Sequence, residues 1–321
     1  MTTIPTLELP PQPVGNDNPT KLPPQRIPII GFGSGTKWRI TKSSGETKGK
    51  FIQQLADQVK NAIEVGFNHI DTAEAYKTHD EVGVGIKESG IPREKLWITD
   101  KYTTWSWLWR KGTGPLDSLT ISLKKMDLEY VDLYLLHTPT ITLETSGITL
   151  KEAWKQMETI YESGLAKNIG VSNFSVADLE YIKSFGKYKP QVNQIEFHAY
   201  LQAQTPGIVK YCFDNGIIVE GYSPLTPITK ARPGPLDNLL TNLAEKYGKS
   251  ELQILLRWVT QYGVVVLTTS SKRERLLEAI DIFSFELSKQ DFEEISKIGK
   301  QKVFRSVFNE NYDKYNNVLY D

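Results

Sequence analysis

The sequence predicts an α/β fold, a (β/α)8 TIM barrel with long loops at its C-terminal face. Three observations predict it. Eight short apolar runs rich in β-branched residues recur along the 321-residue chain. They are continuous rather than alternating, as parallel strands covered on both faces read. Helical patterns stand between them, and strand–helix alternation at this length matches a barrel. The rival is an open doubly wound sheet, which usually carries a G-x-G-x-x-G turn after its first strand. Here that turn is GFGSGT (31–36), whose glycine spacing differs.

In order, the runs are IPIIGFG (27–33), FNHID (67–71), KLWITDKY (95–102), YVDLYLLH (130–137), NIGVSN (168–173), VNQIEF (192–197), GIIVEGYS (216–223) and VVVLTTS (264–270). The segment 48–66 between the first two spaces Phe51, Leu55, Val59 and Ile63 four apart, one helical stripe. The segment 78–90 is a shorter helix containing two glycines, each costing about 1 kcal/mol against alanine. Segments 149–164, 175–186, 205–216 and 236–248 each end on glycine, a common helix stop. Two long connections, 102–118 and 223–238, leave from strand C-termini, where barrel enzymes build their sites. The expected organisation is a Pro-rich N-terminal arm over 1–25, packed only in part, and one barrel domain over 26–321.

Apolar residues make up 39% and charged residues 24%, so a core can form. Lys plus Arg and Asp plus Glu balance at 38 each, which gives no reason to expect nucleic acid or an anionic membrane as partner. No uncharged apolar stretch is long enough to span a bilayer, and the N-terminus lacks the basic start and apolar block of a signal peptide. The one cysteine, Cys212, allows no internal disulfide and reads as a small apolar filler. The expectation is a cytoplasmic monomer acting on a small molecule.

Three polar residues stand where buried strands should end: Asp71 after FNHI, Lys101 inside WITDKY and His137 after VDLYLL. Lysine is almost never buried without a partner. In a parallel barrel all three ends lie on one rim, and Tyr76, five residues past Asp71, can reach over it. Each alone has a blander reading, as a helix cap or a packed side chain; their coincidence favours chemistry. A free tyrosine has a pKa near about 10, too high for efficient proton transfer at neutral pH. A nearby ammonium is expected to lower it by two to three units, with Asp71 as the counter-ion of Lys101. His137 would hydrogen bond to a substrate oxygen. The four histidines have no metal-binding spacing, so no metal is expected. The set suits proton transfer to a carbonyl oxygen but offers no nucleophile; a nicotinamide hydride would supply the electrons.

FNHIDTAEAY, WITDKY, YVDLYLLH, KNIGVSNF and VNQIEFH resemble the aldo-keto reductase superfamily, in order over about residues 27–300. Within it, GSGTKW (33–38) and LTTSSKRERL (267–276) are similar to fungal conjugated polyketone and α-keto amide reductases, with D-arabinose dehydrogenase as a relative. The resemblance implies an NADPH-dependent carbonyl reductase for activated ketones or aldehydes: Tyr76 the acid/base, Lys101 and Asp71 its tuning pair, His137 the carbonyl positioner. An aldose dehydrogenase and a non-catalytic nicotinamide-binding subunit stand as alternatives.

By the same resemblance, Ser172, Asn173 and Gln194 hold the nicotinamide amide, Tyr222 stacks on its ring, Ser223 and Leu225 lie beside the pyrophosphate, and Thr36 faces the cofactor. Many members carry Pro-Lys-Ser after the eighth strand, its lysine on the 2′-phosphate of NADPH; here Thr268-Thr269 stands instead. On physical grounds the segment is still an anion site: Ser271 and Glu274 have capping-box spacing, and Ser270, Lys272 and Arg275 stand nearby. NADPH is therefore favoured over NADH. Glu278 falls on the adenine side, with Ala279 in place of the usual Asn. Lys37, Trp38, Trp105 and Thr138 are expected to line the substrate pocket, and residues 303–321 to fold over the rim.

Overall fold

The computed structural model describes residues 3–12, 25–36, 38–43, 48–104 and 113–307. Its strands are β1 (Thr6–Glu8), β2 (Arg26–Pro28), β3 (Ile30–Gly33), β4 (His69–Asp71), β5 (Trp97–Tyr102), β6 (Leu133–Leu136), β7 (Ile169–Ser172), β8 (Val192–Glu196), β9 (Ile218–Tyr222) and β10 (Val265–Thr268). Strands β3 to β10 pair in parallel and close into a barrel, β10 beside β3. Each of the eight apolar runs supplies one barrel strand. Every residue of β5, β6, β7 and β8 is buried, which is why those runs show no alternation.

The first run does two jobs. Its start, β2, pairs antiparallel with β1, and only Ile30–Gly33 enters the barrel. Within the N-terminal segment, Gln12 Nε2 donates to the Lys189 carbonyl at 2.7 Å and Pro10 O accepts from Gln191 at 3.0 Å.

After the short helix Trp38–Ser43, the helix Gln53–Val65 buries Leu55, Val59 and Ile63, but not Phe51. Phe51 lies outside the helix and is 46% exposed, because the chain enters the helix at Ile52 in an extended conformation. The helix His79–Ser89 forms despite its glycines. A Cβ on Gly83 would stand 2.5 Å from the Met126 carbonyl oxygen, so glycine lets this helix lie against the end of helix Pro115–Met126. That latter helix takes over the end of the expected long connection 102–118, whose residues 105–112 lie outside the described residues.

Capping boxes start the helices Leu150–Glu162, Val176–Phe185 and Glu251–Gln261. The one expected at Ser271–Glu274 does not form. Helix Arg273–Ile280 begins one residue later, on Lys272 with no side-chain cap, and Ser270 Oγ accepts from the Lys272 amide at 3.0 Å. No helix among the described residues is long and apolar enough to cross a membrane.

Candidate active site

Asp71 ends β4 and Lys101 lies near the end of β5, adjacent strands of the barrel. Lys101 is fully buried, and its Nζ meets both Asp71 carboxylate oxygens at 2.7 Å and the Thr72 carbonyl at 2.8 Å. Three acceptors saturate an ammonium, so the buried cation is fully satisfied. Burial alone would lower the Lys101 pKa; Asp71, Tyr76 and Glu220 overcome it and hold the lysine above its ordinary value.

Tyr76 closes a short 3-10 turn, Glu74–Tyr76, that hangs over these strand ends. Its ring centroid is 5.1 Å from Lys101 Nζ and 5.8 Å from the His137 ring, which meets it edge to face at 81°. Gly35 allows this placement: a Cβ there would stand 2.6 Å from the Tyr76 ring. Burial, helped by Asp71, pushes the phenol above its ordinary value, while Lys101 and Arg39 oppose. The expected acidification by two to three units is therefore corrected. The ammonium's charge is already taken up by Asp71, and burial outweighs what remains. Burial, with Lys101 and Arg39 adding to it, holds His137 well below its ordinary value, so its imidazole is neutral.

Asp71, Tyr76 and His137 open into a cavity of about 390 Å³ that extends past Tyr222 and Leu225 to Thr268 and Thr269. Asn173 and Gln194 also line it. Asn173 Nδ2 donates to the His137 carbonyl at 2.9 Å, and its Oδ1 accepts from Tyr222 Oη at 2.8 Å and Gln204 Nε2 at 2.9 Å. Gln194 Nε2 donates to Asp71 Oδ2 at 2.9 Å and Glu220 Oε2 at 2.7 Å. Asn173 and Ser223 both hold a positive φ, 65° and 58°, at strand ends facing the cavity. Such backbone conformations cluster at functional sites.

Of the residues expected to bind the cofactor, Thr36, Asn173, Gln194, Tyr222, Ser223, Leu225 and Thr269 line this cavity. Ser172 is buried behind it, its Oγ donating to the Gln194 carbonyl at 2.8 Å. Ser270 holds Gln58 through its carbonyl at 2.6 Å, and Ser271 lines a second, smaller cavity with Trp38, Gln58 and Asn61. Lys272 and Arg275 are exposed just beyond, and Glu278 Oε2 accepts from Ser250 Oγ at 3.4 Å.

The substrate expectations fare less well. Trp38 does not wall the main cavity; it is buried and donates to Gln58 Oε1 at 2.7 Å, because helix Trp38–Ser43 turns that face toward helix Gln53–Val65. Thr138 is buried and pairs with Thr140 Oγ1 at 2.8 Å, outside the cavity lining. Lys37, Trp105 and residues 308–321 lie outside the described residues. At the tail's start, Ser306 and Val307 donate backbone hydrogen bonds to Glu196 at 2.7 and 3.2 Å, and Val307 reaches the cavity.

Sequence reasoning missed Arg39 and Lys230, which line the cavity, and Glu220 beneath it. Arg39 follows Trp38 past the first strand, where a charged residue is no anomaly. Glu220 carried a usable signal, an acid inside the apolar run GIIVEGYS, the same anomaly that marked Lys101.

The site can donate a proton from Tyr76 and a hydrogen bond from His137 to one oxygen. Asn173 and Gln194 place side-chain amides on the cavity lining, a chemistry that suits the carboxamide of a nicotinamide. The aldo/keto reductase family model matches residues 30–300. The chain is 45% identical over 298 residues to an NADPH-dependent alpha-keto amide reductase of Saccharomyces cerevisiae, covering 91% of this chain and 94% of that one. It is 41% identical over 276 residues to an NAD/NADP-dependent indole-3-acetaldehyde reductase of Schizosaccharomyces pombe, covering 86% and 93%. The crystal structure of a Bombyx mori aldo-keto reductase in complex with NADP superposes with a TM-score of 0.76 at 32% identity, over 93% of this chain and 94% of that one. These matches make the chain a member of the aldo/keto reductase family and an NAD(P)H-dependent oxidoreductase.

Proposed function

We propose that the protein is an NADPH-dependent carbonyl reductase for activated ketones or aldehydes of the α-keto lactone, α-diketone or α-keto amide type, with Tyr76 as proton donor. The observation that carries this reading is the Tyr76–His137 pair facing one cavity above the buried Asp71–Lys101 ion pair. A bound nicotinamide supplies the hydride; the chain's own residues do the rest. Neutral His137 donates a hydrogen bond to the substrate oxygen and so fixes where the carbonyl lies. Tyr76, whose pKa burial raises, stays protonated at neutral pH and is loaded as a donor. As hydride reaches the carbonyl carbon, the oxygen takes up the electron pair of the double bond and becomes far more basic than a phenolate, so the proton moves downhill. Lys101 and Arg39 then stabilise the phenolate left behind.

The choice of NADPH and of an activated carbonyl is supported by the Saccharomyces relative, and the NADP-bound neighbour adds to the first. Lys272 and Arg275, exposed just past Thr269, suit a phosphate. Tyr76→Phe tests the reading. NADPH binding, followed by fluorescence, should stay within about threefold, and turnover of an α-diketone, followed by loss of NADPH absorbance, should fall by about 10²-fold or more. Retained turnover would remove Tyr76 as the proton donor.

A further inference from the structure

We propose that Glu220 is a positioning residue for this reaction: with Asp71 it pins the Gln194 side-chain amide so that Oε1, and not Nε2, meets the carboxamide of the nicotinamide. The inference rests on reading the cavity as a nicotinamide site.

Gln194 on β8 lies in register with Ser172 on β7 and Glu220 on β9. Its backbone is held independently, its carbonyl accepting from Ser172 Oγ at 2.8 Å and from the Asn173 amide at 2.9 Å. Its side chain is held by two carboxyl groups. Nε2 donates one hydrogen to Asp71 Oδ2 at 2.9 Å and the other to Glu220 Oε2 at 2.7 Å. An amide nitrogen has only two hydrogens, so both are committed. Flipping the amide would set its oxygen against both acceptors. What Gln194 can offer a ligand in the cavity is therefore Oε1, an acceptor, which selects the NH2 of a carboxamide.

Asp71 alone could not do this. The terminal torsion of glutamine is broad, and one hydrogen bond leaves the amide free to swing about it. Glu220 supplies the second point that defines the plane. Glu220 is wholly buried, and its Oε1 stands 3.5 Å from His69 Nε2. Burial and the neighbouring Asp71 push its carboxyl up to about 8; with Oε2 engaged by Gln194, the proton held near neutrality belongs on Oε1, on the His69 side, and Oε2 stays an acceptor. A glutamine at 220 can present an acceptor in the same place; a leucine fills the space without one.

The experiment measures dissociation constants for NADPH and for 2′-phospho-ADP-ribose, which lacks the nicotinamide, in the full-length wild type, Glu220→Leu and Glu220→Gln. Glu220→Leu should weaken NADPH about tenfold, the scale of one hydrogen bond, and raise its KM in step. It should leave 2′-phospho-ADP-ribose within about twofold, because the far end of the cofactor is untouched. Glu220→Gln should restore NADPH affinity. If Glu220→Leu does not fold, Glu220→Thr, too short to reach Gln194, carries the same expectation. Equal weakening of both ligands, no weakening of either, or a Glu220→Gln variant as impaired as Glu220→Leu would overturn the inference alone. A wild type that binds neither ligand would overturn the cofactor reading and this inference with it.

Discussion

Glu220 should also write itself into the pH dependence of stability. A carboxyl whose ordinary value is 4.5 titrates in the fold at about 8. Between those values the native chain holds a proton that the unfolded chain has released. Stability then falls as pH rises, since it rises with pH only where the unfolded state binds more protons. The contribution is complete below the unfolded value and is lost as pH climbs through the folded one. At about 1.36 kcal/mol per pH unit the whole window amounts to at most about 5 kcal/mol, and the part between about pH 6.5 and 8 to about 2 kcal/mol.

Other groups face this carboxyl: Asp71 and His69 from β4, Lys101 from β5 and Gln194 from β8. His69 is pushed down to about 3 by burial, with Lys101 adding to it, so its own contribution grows as pH rises and is complete above the ordinary histidine value. Comparison with Glu220→Gln cancels it. Denaturant unfolding at about pH 6.5 and about pH 9 should show the wild type losing about 2 kcal/mol more than the variant. Parallel losses would mean that Glu220 is already ionised at neutral pH, and the argument from burial would fail.

Two further outcomes follow from close approaches. Gly35→Ala drives a methyl to 2.6 Å from the Tyr76 ring and must displace it, so kcat should fall by about 100-fold while NADPH binding and far-UV dichroism persist; unchanged kcat would show that the ring tolerates displacement. Gly83→Ala gains about 1 kcal/mol of helix propensity but forces a Cβ to 2.5 Å from the Met126 carbonyl. Urea unfolding should report a net loss of about 1–3 kcal/mol, and a stabilised variant would show that the two helices separate freely.

The fold was legible because most barrel strands are buried on both faces and so show no alternation of apolar and polar residues. What stayed hidden is what periodicity does not encode. Nothing in IPIIGFG marks the point where β2 leaves its antiparallel partner and β3 enters the barrel, since both halves are apolar. Phe51 fits the spacing of a helix that has not yet begun. At the site, Asp71, Lys101 and His137 stood out as polar groups where buried strands end, and the structure brings them together with Tyr76. Trp38 follows the first strand, and nothing in its sequence position shows that it opens a short helix whose face turns toward Gln58. The phenol's acidity was misjudged by weighing one pair, Lys101 and Tyr76, without the burial that surrounds both.

The interior of this barrel is not simply apolar, and that bears on the electrostatics around Lys101 and Tyr76. Trp97 donates to Thr99 Oγ1 at 3.1 Å, Thr99 pairs with His69 at 3.1 Å, His69 stands 3.5 Å from Glu220, and Glu220 reaches Lys101 through Gln194 and Asp71. One ammonium thus serves two carboxyl groups and a phenol. With His69 neutral and Glu220 protonated, Asp71 and Lys101 cancel and the buried column carries no net charge, the condition under which burying ions is least costly. Ionising Glu220 would break that balance by adding a second carboxylate near Lys101 and, as Asp71 already does, would push the phenol of Tyr76 further up. Glu220→Gln, which keeps position 220 uncharged, should therefore leave the Tyr76 phenol the more readily ionised at alkaline pH, and the high-pH limb of the variant's kcat–pH profile should lie at lower pH than the wild type's; coincident limbs would show that Glu220 does not reach Tyr76.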